Sequence, residues 1–291
     1  MLDGMMEYKE TDLKQDFIKP LQDIPQPPTR LWQYGELPPD RSRHVVSIIG
    51  SRRCTQYGES LAYKIARELT LRGVIIVSGM AYGIDAAAHR GCLDAGGTTI
   101  AVLGTPINKL YPPSNEGLAH RIIESGGAIL SEYPIGTETQ RYHFLERNRL
   151  VAGLADVILI AEASINSGTI TTANQAMDQG KTVFAIPGDL DRKMSAGCNA
   201  LIARASAQLY TGIDDIYIAL GMHGSVRRDV DLEGLSSQEA AVVRQLKAGN
   251  SDGEQIMKKL KMTANEFNQT ITMLEIKGLV LARGCNEWIL V

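Results

Sequence analysis

The sequence has no long hydrophobic run. Although 44% of its 291 residues are hydrophobic, no stretch reaches the roughly 20 consecutive apolar residues that a membrane-spanning helix needs. Nor does the amino terminus look like a sorting signal. Its first twenty residues carry several acidic side chains and neither the apolar core of a secretory signal nor the arginines of a transit peptide, so a cytoplasmic protein is expected. Paired cysteines are missing as well. Cys54, Cys92, Cys198 and Cys285 lie far apart, which excludes the close spacings of zinc sites and compact disulfide frameworks and leaves reduced, structural thiols. No other ligand cluster suggests a metal, and none is expected. Net positive charge is absent too. At a formal −3, any polyanion must be held by a local basic patch and not by the average field of the molecule.

What is present is a change of texture along the chain. Residues 1–43 are polar and include Ile24-Pro25-Gln26-Pro27-Pro28, which can continue neither a helix nor a central strand, so an extended arm with one short helix before the prolines is expected. From Val45 onward, short β-branched runs alternate with helical patterns. The predicted strands are Val45–Ile49, Val74–Ser78, Thr99–Leu103, Ala128–Ser131, Val157–Ala161, Val183–Ile186 and Gln208–Tyr210. The predicted helices are Tyr57–Leu71, Ile84–Ala95, Asn115–Ser125, Thr169–Gln179 and Asn199–Ala205. Unbroken apolar strands separated by helices describe an α/β fold, a Rossmann-like doubly wound, mostly parallel sheet over residues 44–221.

A charged linker, 222–234, precedes a second pattern in 235–291. Ser236-Ser237-Gln238-Glu239 and Thr263-Ala264-Asn265-Glu266 are capping boxes that start helices. A third helix at Gly253–Leu260 and a hairpin from Leu279–Ala282 to Trp288–Val291 complete a small winged-helix domain. Residues 231–291, which take in the end of the linker, hold seven Lys or Arg against eight Asp or Glu, and that balance argues against a nucleic-acid role built on counterion release.

Three loops share one design, in which a buried strand ends, small residues follow and a helix begins. Free N–H groups and a positive helix terminus then converge on one point that attracts anions. They are Gly50-Ser51-Arg52-Arg53, the segment from Ser78-Gly79 to Asp85, and Asn166-Ser167-Gly168-Thr169 up to Thr172. In a parallel sheet all three emerge on the same edge. The segment Arg141-Tyr142-His143-Phe144-Leu145-Glu146-Arg147-Asn148-Arg149 adds cations for phosphates and an aromatic face for an unpaired base. Phosphate thus narrows to nucleic acid.

A nucleotide-hydrolysing enzyme is the rival reading, with Asp85, Glu132 and Glu162 as acid or base at strand ends. Phosphoribohydrolases that act on nucleoside monophosphates carry a Pro-Gly-Gly-x-Gly-Thr-x-x-Glu pattern, but here Gly168-Thr169-Ile170-Thr171 is followed by Thr172. The carboxylate is missing, so no catalytic residue is expected. A dinucleotide cofactor is not expected either, because Gly50-Ser51-Arg52 does not continue as G-x-G-x-x-G.

Gly-Ser-Arg at 50–52, Ser-Gly-x-Ala-x-Gly-Ile-Asp at 78–85, His89-Arg90, Tyr111-Pro112-x-x-Asn115, Leu130-Ser131-Glu132-Tyr133-Pro134, Arg147-Asn148-Arg149, Ser167-Gly168-Thr169 and Ala185-Ile186-Pro187-Gly188 stand in order. In these motifs the chain resembles the DNA-processing protein A family, also called DprA or Smf, and the resemblance extends from about Ile24 to Leu209. The resemblance implies a cytosolic protein that binds incoming single-stranded DNA during natural transformation, loads a RecA-type recombinase on it and works as a homodimer. It implies a DNA pocket at Gly50, Ser51, Arg52, Ser78, Gly79, Asn115, Phe144, Arg147, Asn148, Ser167, Gly168, Thr169 and Lys181, and a dimer interface at Ile202 and Leu209. Leu145 stands where the family usually has proline, and Arg204-Ala205-Ser206-Ala207 lacks its Gly-Ala. The helical amino-terminal domain of many members is expected to lie outside this chain.

Overall fold

Runs such as Val45-Val46-Ser47-Ile48-Ile49 have no polar face to offer water, and the fold buries both of their sides. The computed structural model describes residues 8–222, 234–284 and 286–290, so most of the expected linker, Cys285 and the first residues of the expected arm lie outside the described residues. Two units divide the chain at Met222 and His223. In the first, β1 (Lys9–Glu10) and β2 (Trp32–Gly35) precede β3 (Val45–Ile49), α1 (Gln56–Leu71), β4 (Ile75–Ser78), α2 (Ile84–Asp94) and β5 (Thr99–Leu103). After these come α3 (Glu116–Glu124), β6 (Ala128–Ser131), α4 (Arg141–Leu154), β7 (Val157–Ile160), α5 (Gly168–Asp178) and β8 (Thr182–Ala185). The unit closes with α6 (Ala196–Ala203), β9 (Gln208–Leu209) and α7 (Ile213–Ala219).

The strands form one sheet in the order β1-β2-β6-β5-β4-β3-β7-β8-β9. From β6 to β9 all pairs are parallel, while β2 joins β6 antiparallel through Trp32 opposite Ser131. This is a Rossmann-like doubly wound sheet, and its order reverses between β3 and β7. Loops leaving two strands in opposite directions open a crevice at that point, at the carboxyl ends of the strands.

Two expectations are corrected. The short helix expected before the prolines forms, as a 3-10 helix at Asp16–Gln22, but residues 8–43 are no extended arm: β2 extends the sheet, and the helix buries Phe17, Ile18 and Leu21. Leu21 and Ile24 fill the space a side chain at Gly153 would need. The polar composition hid a few well-spaced apolar residues that anchor the segment on α4. The stretch from Arg141 to Leu154, read only as a charged segment, is a helix, and α4 packs across β5, β4 and β3. Three cysteines of the described residues are free, Cys92 and Cys198 being buried, and burial raises each thiol.

The second unit comprises α8 (Ser237–Lys247), α9 (Gly253–Leu260), α10 (Ala264–Ile276) and the hairpin of β10 (Val280–Gly284) and β11 (Glu287–Leu290). Both capping boxes form: Ser236 Oγ accepts from Glu239 N at 3.2 Å and Thr263 Oγ1 from Glu266 N at 3.3 Å. Val242, Val243, Ile256, Phe267, Ile271 and Leu274 make its core.

Candidate nucleic-acid interface

The crevice at the β3/β7 switch point is a cleft of about 790 Å3. It is walled by the loop after β3, the loop after β4, one face of α4 and the start of α5. The cleft gathers Gly50, Ser51, Arg52, Gly79, Phe144, Arg147, Asn148, Ser167, Gly168 and Thr169 from the expected site, and adds Arg53, Tyr111, Arg141, Lys193 and Met194. On α4, Phe144, Arg147, Asn148 and Val151 follow the i, i+3, i+4, i+7 spacing that puts them on one face.

Close approach explains two of the glycines. A Cβ at Gly50 would stand 2.6 Å from Ile84 Cγ1, and one at Gly79 would stand 2.6 Å from an Arg147 guanidinium nitrogen and 2.7 Å from Asp85 Oδ2. Gly79 therefore lets a buried cation and a buried acid meet beneath the loop. Arg147 donates to the Gly79 carbonyl at 2.6 Å and to the Val102 carbonyl, and its Nε reaches Asn148 Oδ1 at 3.2 Å. It is only 4% exposed. Burial pushes its guanidinium down to about 10, and the nearby Asp85 opposes that. Asp85 accepts from Ala81 N at 3.3 Å, and burial raises its carboxyl while Arg147 pulls the other way.

Several expected contacts face the protein instead. Ser78 donates its hydroxyl to the Ile48 carbonyl at 2.7 Å and is fully buried. Asn115 Nδ2 donates to the Met80 carbonyl at 2.8 Å, holding the loop after β4, where Met80 has a φ of 60°. Both lie behind the loop. Lys181 sits just before β8, at the amino edge of the parallel strands, and its Nζ reaches the Gly153 carbonyl at 3.3 Å. A residue that precedes a parallel strand is on the edge opposite the loops that follow strands, so Lys181 does not reach the cleft. Ser51 gives its N–H to the Glu162 carbonyl at 2.8 Å, and Ser167 caps α5 by accepting from Thr169 N at 3.0 Å.

The exposed cations tell a different story. Arg52, Arg53, Arg141 and Lys193 all line the cleft and are exposed, and none of them takes part in an ion pair found among the described residues. Arg52 lies over the Phe144 ring at 4.9 Å from its centroid. Lys193 escaped the sequence reading because Asp189, Asp191 and Arg192 around it blur the charge, and Arg192 in fact pairs with Asp189.

The acid/base candidates have partners already. Arg149 holds both oxygens of Glu132, at 2.7 and 2.8 Å. Glu162 accepts from Thr55 N at 2.8 Å and Thr55 Oγ1 at 2.5 Å, where it braces the start of α1. His89 is fully buried, and since Thr99 Oγ1 donates to the Ile76 carbonyl, it accepts from His89 Nδ1 at 2.7 Å. Burial pushes this imidazole down to about 3.

A family model described as DNA recombination-mediator protein A matches residues 10–221. A putative DNA processing protein DprA of Mycobacterium tuberculosis is 36% identical over 263 residues, which is 88% of this chain and 67% of that protein. The DNA processing protein DprA of Streptococcus pneumoniae is 40% identical over 169 residues, 58% of this chain and 59% of that one. The chain thus spans roughly three fifths to two thirds of these curated relatives. A solved structure of DNA processing protein A from Helicobacter pylori, described for its single-stranded DNA binding mode, aligns with a TM-score of 0.66 and 31% identity. That alignment covers 75% of this chain and 97% of the other.

Proposed function

The chain belongs to the DNA recombination-mediator protein A family, and on that premise we propose that its cleft binds the sugar-phosphate backbone of single-stranded DNA without making or breaking bonds. One observation carries this reading: Arg52, Arg53, Arg141 and Lys193 ring a single cleft beside exposed aromatic surface, with no carboxylate paired to them among the described residues. Cations in that position neutralise phosphates and release counterions, which drives binding whatever the base sequence. The Helicobacter pylori relative is described as binding single-stranded DNA, and this supports the same choice of strand.

The hydrolase alternative has less support. Glu132 and Glu162 are committed to Arg149 and Thr55, and Asp85 lies beneath Gly79. In the cell, which we take to be the cytoplasm, the protein would receive incoming strands in natural transformation and pass them to a RecA-type recombinase, acting as a homodimer. Two assays on purified protein test the proposal. Fluorescence anisotropy with unstructured single strands should show binding that weakens in Arg52→Ala, while nucleoside monophosphates should release no free base. Unchanged binding in Arg52→Ala, or base release at an enzyme-like rate, would remove it.

A further inference from the structure

A groove that grips the phosphates still needs a face for the bases, and Phe144 has little face left to give. One side of its ring carries the Arg52 guanidinium, 4.9 Å from the centroid. Gly104 backs it so closely that a Cβ there would stand 2.8 Å from Phe144 Cδ1 and 3.0 Å from its Cα. Tyr111 leans against it with ring centroids 5.5 Å apart and the planes tilted by 57°. Tyr111 itself lines the same cleft and is 44% exposed.

Resting on the single-strand reading, we infer that Tyr111 is the residue on which a DNA base stacks, and that Phe144 is a positioning residue that seats Arg52 and Tyr111. The three groups form one assembly. Phe144 fixes the guanidinium by cation–π attraction so that its fork turns to the phosphate, and it props the tyrosine ring at the cleft wall. Every base has a π-face, so a stack on Tyr111 accepts all four and adds affinity without sequence preference. This assigns the two halves of a nucleotide to different side chains: phosphate to Arg52, base to Tyr111.

The roles separate when the base is removed from the ligand. The probes are an oligothymidylate and the same strand with its central bases replaced by abasic sites, each titrated by anisotropy. The wild type should prefer the intact strand by roughly tenfold, the gain expected of about one stacked base. Tyr111→Leu keeps apolar bulk but removes the π-face, so it should close that gap and leave abasic affinity unchanged, whereas Tyr111→Phe should preserve the gap. Phe144→Leu should weaken both strands, because Arg52 loses its seat. A gap that persists in Tyr111→Leu, equal weakening of both strands by that change, or a wild type that does not distinguish the strands overturns the stacking assignment. A wild type that binds neither strand removes the single-strand reading itself and the inference with it.

Discussion

Arg52 and Arg147 line the same cleft but cannot substitute for one another. Arg147 spends its donors on the Gly79 and Val102 carbonyls and is buried, so its loss removes two buried hydrogen bonds. Arg147→Ala should lower the unfolding free energy by about 3 kcal/mol in urea denaturation. It should weaken strand binding through the loop after β4 while leaving the salt dependence unchanged. Arg52 is exposed and lies over the Phe144 ring. Arg52→Ala should shift stability by less than about 0.5 kcal/mol and flatten the slope of log affinity against log salt by about one unit or slightly less. The opposite pattern, a slope lost in Arg147→Ala and kept in Arg52→Ala, would exchange their roles.

His89 supplies a pH test at the same scale. Its folded value near 3 lies below the usual 6.5, so the unfolded chain takes up the proton first. The stability it contributes is present above about pH 6.5 and is lost as pH falls toward 3. By pH 5 the loss amounts to about 2 kcal/mol. His89→Asn keeps a donor for Thr99 and has no such proton to gain, so its urea midpoint should fall less than the wild type's between pH 7.5 and 5. Equal falls would mean that the imidazole does not titrate in this way. Single residues were also the least legible level of the sequence. Ser78, Asn115 and Lys181 are of the right type in the right motifs, yet packing turns the first two inward and chain direction puts the third on the far edge.

Among the elements, α4 decides the site. It carries Arg141, Phe144, Arg147 and Asn148, and packs across β5, β4 and β3. Its seat depends on Gly104, because a Cβ there would press on the Phe144 backbone at 3.0 Å. Gly104→Ala should therefore cost about 1–3 kcal/mol and weaken strand binding. At Gly168 the nearest atom is the flexible end of Leu145, 3.2 Å from an added Cβ. Gly168→Ala should change stability by less than about 0.5 kcal/mol, and thermal melts that rank the two changes the other way would contradict this packing. The sheet strands and capping boxes were readable because each is written in a few adjacent residues, such as Val45–Ile49 or Ser236 with Glu239. Helix α4 was not. Its cleft face mixes Phe144 and Val151 with Arg147 and Asn148, and its buried face meets both the sheet and the 3-10 helix of Asp16–Gln22, so no clean apolar stripe marks it. That short helix is legible before the prolines, but the burial of its Phe17, Ile18 and Leu21 is not, because the surrounding residues are polar.

For the whole molecule, a net charge of −3 coexists with a cleft of exposed cations. Electrostatic attraction is therefore local, and binding should be strongly salt-dependent although the average field repels DNA. Among the described residues the sheet ends in β9, whose outer edge pairs with no further strand there and whose Gln208 and Leu209 are exposed. An open edge of this kind invites a second copy. Ile202 packs partly on the core, so Leu209 is the cleaner probe of the proposed homodimer: Leu209→Asp should give a monomer in light scattering, and a surviving dimer would place the interface elsewhere. No helix among the described residues is long and apolar enough to cross a membrane.

The central claim is that this one cleft prefers an unpaired strand. The most direct measurement titrates purified protein against matched single- and double-stranded oligonucleotides at low and moderate salt. The account predicts tighter binding to the single strand and a slope of about −0.7 per phosphate held, reduced by Arg52→Ala. Equal affinity for both forms, or a single-strand affinity unmoved by salt and by Arg52→Ala, would contradict it.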